Sequence, residues 1–187
     1  MTLGELALPT AFKENGASDA GDAFDALVEQ HQPMVQRVAY RLLGRIEDAQ
    51  DATQEVFLRL FRNRDRVGAD PGRLQIKAWL YRVTVNVCND HHRRRKVAMA
   101  MQAAGPRAEA DPAPDPEHVL ALEERRRLLL EGLGTLPERE RTALVLRDIE
   151  GLSTAEVAAI LGIEEVTVRS HSASGRLKLA KYVRSRQ

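Results

Sequence analysis

Between residues 98 and 117 the chain reads AMAMQAAGPRAEADPAPDPE, with seven alanines and four prolines, three of the prolines alternating in DPAPDP. Each proline removes a backbone donor and fixes φ, so the alternating run is held extended as a semi-rigid linker. A linker at this position divides the 187 residues into two small units. We read residues 1–21 as a flexible lead-in, 22–96 as a first domain, 97–117 as the linker and 118–187 as a second domain. Aromatic residues make up only 4% of the chain, so Leu, Ala and Val must fill both cores. Arg, Leu, Ala and Glu are abundant and β-branched runs are scarce, which favours helix. The expected fold is all-α, two small helical domains joined by the linker.

The apolar spacing supports this. Phe24, Leu27 and Val28, then Val35, Val38 and Leu42, recur at helical intervals, with Pro33 placed to start a second helix. The next helix sets Ile46, Ala49, Thr53, Val56, Phe57 and Leu60 on one face. Glu47, Asp51 and Glu55 run along another, with Asp48 beside them. RNRDRVGADPGRLQ is a loop whose Asp70-Pro71-Gly72 signals a turn. After it, Ile76, Trp79, Leu80, Val83 and Val87 point inward from a helix with a polar stripe of Arg82, Asn86, Asn89 and Arg93. In the second unit, Val119, Leu122, Leu129 and Leu133 mark a helix that Gly132 and Gly134 help to end. Pro137 opens another, through Leu144, Val145 and Ile149, and Gly151 comes after it. Ser153 and Glu156 form an S-x-x-E capping box, Gly162 suits a left-handed turn, and a last helix spans about Glu165 to Tyr182. Helix, glycine turn, helix is a helix-turn-helix.

Lys and Arg number 28 against 27 Asp and Glu, so bulk positive charge cannot carry nucleic-acid binding. Any such function rests on segregated charge. The segregation is visible: an acidic stripe in EDAQDATQEVF, a basic run in NDHHRRRK, and a second basic stretch at the C-terminus. Four consecutive cations exceed what a helix dipole needs. No phosphate loop, H-E-x-x-H or nucleophile elbow is present, so no catalytic residue, metal or cofactor is expected. His91 and His92 are adjacent and cannot share a helix face, unlike ligand pairs spaced i,i+4. Cys88 is the only cysteine, so no intrachain disulfide forms, and it reads as a small buried residue. No apolar run spans a membrane and no signal peptide opens the chain, which points to the cytoplasm and no membrane insertion.

Taken in order, these segments resemble the extracytoplasmic-function group of bacterial sigma factors, over about residues 22–96 and 118–182. EDAQDATQEVFLRLF is similar to that family's polymerase-binding helix. The resemblance implies docking on the clamp coiled coil of core RNA polymerase through Asp48, Asp51, Gln54, Glu55, Val56 and Phe57, with Val56 and Leu60 also suited to the core. KAWLYRVTVNVCNDHHRRRK is similar to the segment engaging the minus-ten element of promoter DNA. It implies roles for Trp79, Arg82, Asn86, Asp90, Arg93, Arg94 and Arg95, with a base pocket formed by the loop Asn63–Gln75 and Asn86. LPERERTALVLRDIEGLSTAEVAAILGIEEVTVRS is similar to the domain that reads the minus-thirty-five element, implying Thr167, Arg169, Ser170, Ser174, Arg176 and Lys178. A cognate anti-sigma factor is a further partner that the resemblance implies.

The chain also departs from the family pattern. Val85 stands where an arginine is common, Glu164 where a Ser or Thr cap is common, Ser172 for a usual Leu and Gly175 for a usual Ala. The last two lie on the Val168–Leu179 stripe, so the final helix is expected to pack less firmly. A sigma-like decoy for an anti-sigma factor would have lost its basic residues, and both basic helices remain here. A stand-alone helix-turn-helix regulator would have no use for the acidic helix.

Overall fold

The computed structural model describes residues 17–63, 73–101 and 117–186, and every regular element among them is helical. The first domain holds α1 (Ala17–Leu43), α2 (Ile46–Arg62) and α3 (Arg73–Met101). The second holds α4 (Glu117–Thr135), α5 (Glu138–Leu144), a π-helical turn (Val145–Ile149), α6 (Thr154–Leu161) and α7 (Glu165–Arg184).

Two helix ends overrun the expected boundaries. α1 begins at Ala17, inside the stretch read as lead-in, and α3 continues to Met101, past residue 96. Ala98, Met99, Ala100 and Met101 are strong helix formers, and the first proline comes only at Pro106. Residues 1–16 and 102–116, the rest of the lead-in and linker, lie outside the described residues.

Pro33 does not start a helix; it sits inside α1. An interior proline removes one backbone hydrogen bond and crowds the carbonyl four residues earlier, costing about 3 kcal/mol. Packing offsets this. Pro33 itself is exposed, while Met34, Val35, Val38, Ala39 and Leu42 are buried after it and Leu27 packs against the core before it. They meet Ala49, Ala52, Val56 and Leu60 of α2 and Leu80, Val87 and Cys88 of α3. Each fully buried Leu or Val contributes roughly 1.5–3 kcal/mol. Burial pushes the Cys88 thiol up to about 12, so it packs as a small apolar residue.

The second core gathers Leu133, Leu136, Leu144, Val145, Leu146, Val157, Ile160 and Val168. The helix expected from Pro137 to Ile149 widens after Leu144 into the π-turn, closed by the Glu150 amide on the Val145 carbonyl at 2.9 Å. The extra residue in that turn rotates the residues beyond it by about 100° relative to a continuous α-helix. Glu150 thereby comes to face the first domain.

The two domains are in contact: α4 and the π-turn lie on α1, and α6 lies on α3. The Glu150 carboxylate, only 3% exposed, accepts from Arg37 Nη2 at 2.9 Å and Nε at 3.2 Å, from Arg41, and from the Tyr81 hydroxyl at 3.4 Å. Burial, helped by the Glu150 charge, pushes Tyr81 up to about 12. Arg126 of α4 stacks over the Tyr40 ring of α1 at 5.4 Å.

His92 ties α3 to the end of α1, its Nε2 lying 2.9 Å from the Leu42 carbonyl. Burial holds its pKa below the ordinary 6.5. The unfolded chain therefore binds this proton more readily. Stability is fully present above pH 6.5 and falls as pH drops from there through the lower folded value. The carboxylates of Glu55, Glu140 and Glu156, all held low, act in a separate window below their ordinary 4.5. We expect the melting temperature to fall between pH 7.5 and 5.5, and His92→Gln, which keeps a donor, to flatten that fall. An unchanged slope in circular-dichroism melts of the variant would assign the effect to another group.

Candidate nucleic-acid interface

α2 divides cleanly between two faces. Ala49, Ala52, Thr53, Val56 and Leu60 are buried, and Thr53 returns its hydroxyl to the Ala49 carbonyl at 2.7 Å. Val56, expected among the docking residues, is 0% exposed, because the i, i+4, i+7 spacing that links it to Ala49 and Leu60 turns it into the core. Phe57 is half-buried against that core. Asp51 and Gln54 are exposed. Glu55 is half-buried and engaged, with Arg59 Nη2 at 2.6 Å and His91 Nε2 at 3.7 Å. Burial would raise its carboxyl, but the hydrogen bond and charge of Arg59, with Arg94 and His91, outweigh this and hold it low.

Two exposed residues of α2 were missed by the sequence reading. Leu58 and Phe61 are 53% and 47% exposed. Together with Asp51 and Gln54 they follow the 51, 54, 58, 61 spacing of a single helix face. The signal was present, but the reading placed only Val56, Phe57 and Leu60 of VFLRLF on a face and left Leu58 and Phe61 unassigned. Phe24 of α1 meets the Phe61 ring edge-on at 5.4 Å.

Asp48 is half-buried and faces the end of α3, 3.7 Å from Arg95 Nη1. It shares a cleft of about 350 Å³ with Leu43, Arg45, His91, His92, Arg94 and Arg95. On α3, Asn86, Arg93, Arg94 and Arg95 are exposed, whereas Trp79 is half-buried against the core and Val85 is buried. Asp90 accepts from Arg93 at 3.0 Å and lies 3.8 Å from Arg59. Arg82 does not stand free on the polar stripe. Its Nε donates to the Ile160 carbonyl at 2.9 Å and its Nη2 to Ala159, capping the C-terminal end of α6. Asn63 closes α2 by donating to the Arg59 carbonyl at 2.7 Å. Residues 64–72 of the expected pocket loop lie outside the described residues.

The helix-turn-helix is built as its sequence suggests. Ser153 accepts from the Glu156 amide at 3.2 Å while Glu156 accepts from the Ser153 amide at 2.8 Å. Gly162 takes φ 64°, a left-handed conformation that only glycine adopts without strain, and it joins α6 to α7. Val168, Ser172 and Gly175 are buried. A Cβ on Gly175 would stand 3.2 Å from the Glu140 carbonyl oxygen and 3.5 Å from Leu144 Cβ. The small residues therefore let α7 approach α5 closely, which corrects the expectation of looser packing. Ser172 Oγ is buried without a partner there.

Facing outward from α7 are Glu165, Val166, Arg169, Ser170 and Ala173, with Thr167 half-buried. Arg169 Nη1 pairs with Glu165 at 3.2 Å. The other expected residues lie along the flank toward α5 and the π-turn. Ser174 donates to Glu140 at 3.1 Å, Lys178 pairs with Glu140 at 2.7 Å, and Arg176 with Asp148 at 3.3 Å. The Lys178 hydrogen bond, with that of Ser174, holds the Glu140 carboxyl below its usual range. Among the described residues no cluster of His, Cys, Asp and Glu could hold a metal, and no helix is long and apolar enough to cross a membrane.

Comparison with known proteins matches the same two segments. Residues 27–97 match Sigma-70 region 2 and residues 126–179 match Sigma-70, region 4. Over 92% of its length the chain is 40% identical to the ECF RNA polymerase sigma factor SigE of Mycolicibacterium smegmatis, and it spans 66% of that protein's length. It is 31% identical to the ECF RNA polymerase sigma factor SigW of Bacillus subtilis, over 87% of the chain and 90% of that protein. The fold of the sigma factor RpoE from Bartonella quintana, solved in complex with the anti-sigma factor NepR, matches with a TM-score of 0.69 at 21% identity, covering 87% of this chain and 98% of that one. With both helical domains present in family order, the chain belongs to the ECF RNA polymerase sigma factors.

Proposed function

We propose that the chain is an alternative promoter-specificity subunit, non-catalytic, which acts in the cytoplasm by directing core RNA polymerase to a set of promoters. The outer face of α2, with Asp51, Gln54, Leu58 and Phe61 opposite a buried stripe, carries this reading. An apolar patch with an acidic margin suits docking on a complementary protein surface, apolar contacts giving affinity and charge giving register. α3 then offers Asn86 for a base edge and Arg93, Arg94 and Arg95 for the backbone of a melted strand. α7 presents its N-terminal turns to the major groove of the minus-thirty-five element. A cognate anti-sigma factor is a further partner under this reading.

The two elements are named for positions about 25 base pairs apart, roughly 85 Å at 3.4 Å per pair. Domains in direct contact cannot hold both at once. The arrangement with Arg82 capping α6 is on this reading a closed state, and Arg82 joins the strand only after the domains part. The direct test is to add the purified chain to core polymerase and sequence the transcripts made from a genomic library. A shared upstream motif is expected, and no transcripts above core alone would refute the reading.

Arg169, exposed near the start of α7, is the long donor suited to a bidentate guanine contact, worth about 1–3 kcal/mol of discrimination. Arg169→Ala is expected to relax preference at one or two upstream positions. Lys178→Ala should weaken all promoters alike and flatten the salt dependence. A promoter-library profile for Arg169→Ala that is uniformly weaker, with base preferences intact, would reassign Arg169 to phosphate.

A further inference from the structure

We infer that Val166 is a base-reading residue of α7, recognising the C5-methyl group of a thymine in the upstream element. This deepens the reading of α7 as the upstream reader and rests on it. Val166 is the second residue of α7 and 59% exposed among the described residues, an apolar β-branched side chain open to solvent. It belongs to a face with Arg169, Ser170 and Ala173, spaced i, i+3, i+4 and i+7, all exposed.

The charge on the same helix indicates the partner that covers this face. α7 carries Arg169, Arg176, Lys178, Lys181 and Arg184 against the single carboxylate of Glu165. Arg176 and Lys178 lie on the flank and Lys181 and Arg184 in the last turn, so most of these cations stand away from the tip. At the tip the one cation, Arg169, is paired with Glu165 at 3.2 Å, and the N-cap Glu164 also stands exposed there. The cations of the last turn, Lys181 and Arg184, suit phosphates, and a tip with no excess positive charge but an exposed apolar group suits base edges. Within the major groove the apolar group offered by a base edge is the thymine methyl.

Val166 is also stiff. A valine in a helix holds essentially one χ1 rotamer, so its methyls are fixed without further loss of freedom on binding. Ala173, two turns further on, has only a Cβ and leaves the groove wall room to approach. Leu177 is exposed too, but it stands about 16 Å along the axis from Val166 at 1.5 Å per residue, beyond the reach of the helix tip.

The test uses holoenzyme assembled with the full chain on a promoter taken from its own transcript library. Each thymine of the upstream element is replaced singly by deoxyuridine, which removes only the methyl group. At one position wild-type affinity should fall about three- to fivefold, the worth of one buried methyl-sized group. Val166→Ala should lose about the same on the thymine promoter and be indifferent to deoxyuridine there, and Val166→Thr, which keeps one methyl, should lie between. The inference is overturned if no deoxyuridine position matters, or if Val166→Ala still discriminates thymine from deoxyuridine as wild type does. Failure of the underlying reading shows earlier and separately, as the absence of promoter-specific transcripts from the library.

Discussion

Glu150→Lys is expected to part the two domains while leaving their helices intact. The carboxylate of Glu150 is nearly fully buried and is shared by Arg37 and Arg41 of α1 and by Tyr81 of α3. Removing one member of a buried ion pair costs about 3–5 kcal/mol, and the lower end applies because both arginines reach solvent. Some 3 kcal/mol is about a hundredfold shift toward the open arrangement, and lysine adds repulsion. Small-angle scattering should show a larger radius of gyration, with unchanged far-ultraviolet circular dichroism. Glu150→Gln keeps the shape and one acceptor and should open the chain less. Opening also releases Arg82 from the Ala159 and Ile160 carbonyls, so the lysine variant should bind a single-stranded minus-ten oligonucleotide more tightly than wild type. A scattering profile identical to that of a compact wild type would show that Glu150 does not hold the domains together.

The second large effect lies on α2. Asp51→Arg with Gln54→Ala should lower affinity for core polymerase at least a hundredfold, because a like charge facing the partner costs several kcal/mol. Both residues are exposed, so the melting temperature should move little. Glu55 is a poorer choice for charge reversal. It neutralises Arg59 and lies 3.7 Å from His91, so an arginine there would also disturb the packing of α2 on α3. Normal competition for core by the double variant would make the acidic face a solvated one with no partner.

Most of the fold was legible in the sequence because it depends on local rules. The capping box at Ser153, the left-handed Gly162 and the apolar periodicities of α2 and α7 act over four or five residues. Their physical meaning needs no knowledge of the partner helix. The errors arose where two local readings were equally permitted. Pro33 could open a helix or be carried inside one, and only the packing of Leu27, Val35 and Val38 in the core with α2 and α3 decides for the second. Ala98 to Met101 favour helix, but their place beside the Ala- and Pro-rich run let them be read as linker. Gly175 weakens an isolated helix, yet it is what lets the α5 backbone come close.

The candidate site divides in the same way. Sequence alone determined which helices carry acid, base and apolar character, and in what order, because periodicity assigns residues to faces. It could not say where the outward face of α2 lies among its crowded apolar residues or which charges are already taken. Val56 is lost to the core and Leu58 and Phe61 are left outside by the way α2 lies on α1 and α3. Ser174 and Lys178 are held by Glu140 because the small residues of α7 bring α5 near. Arg82 is drawn away from the polar stripe by carbonyls 77 and 78 residues distant in the chain. Such long-range pairings depend on how the two domains meet. The π-turn that aims Glu150 at Arg37 and Arg41 has no signature in local composition, so only the tertiary structure decided it.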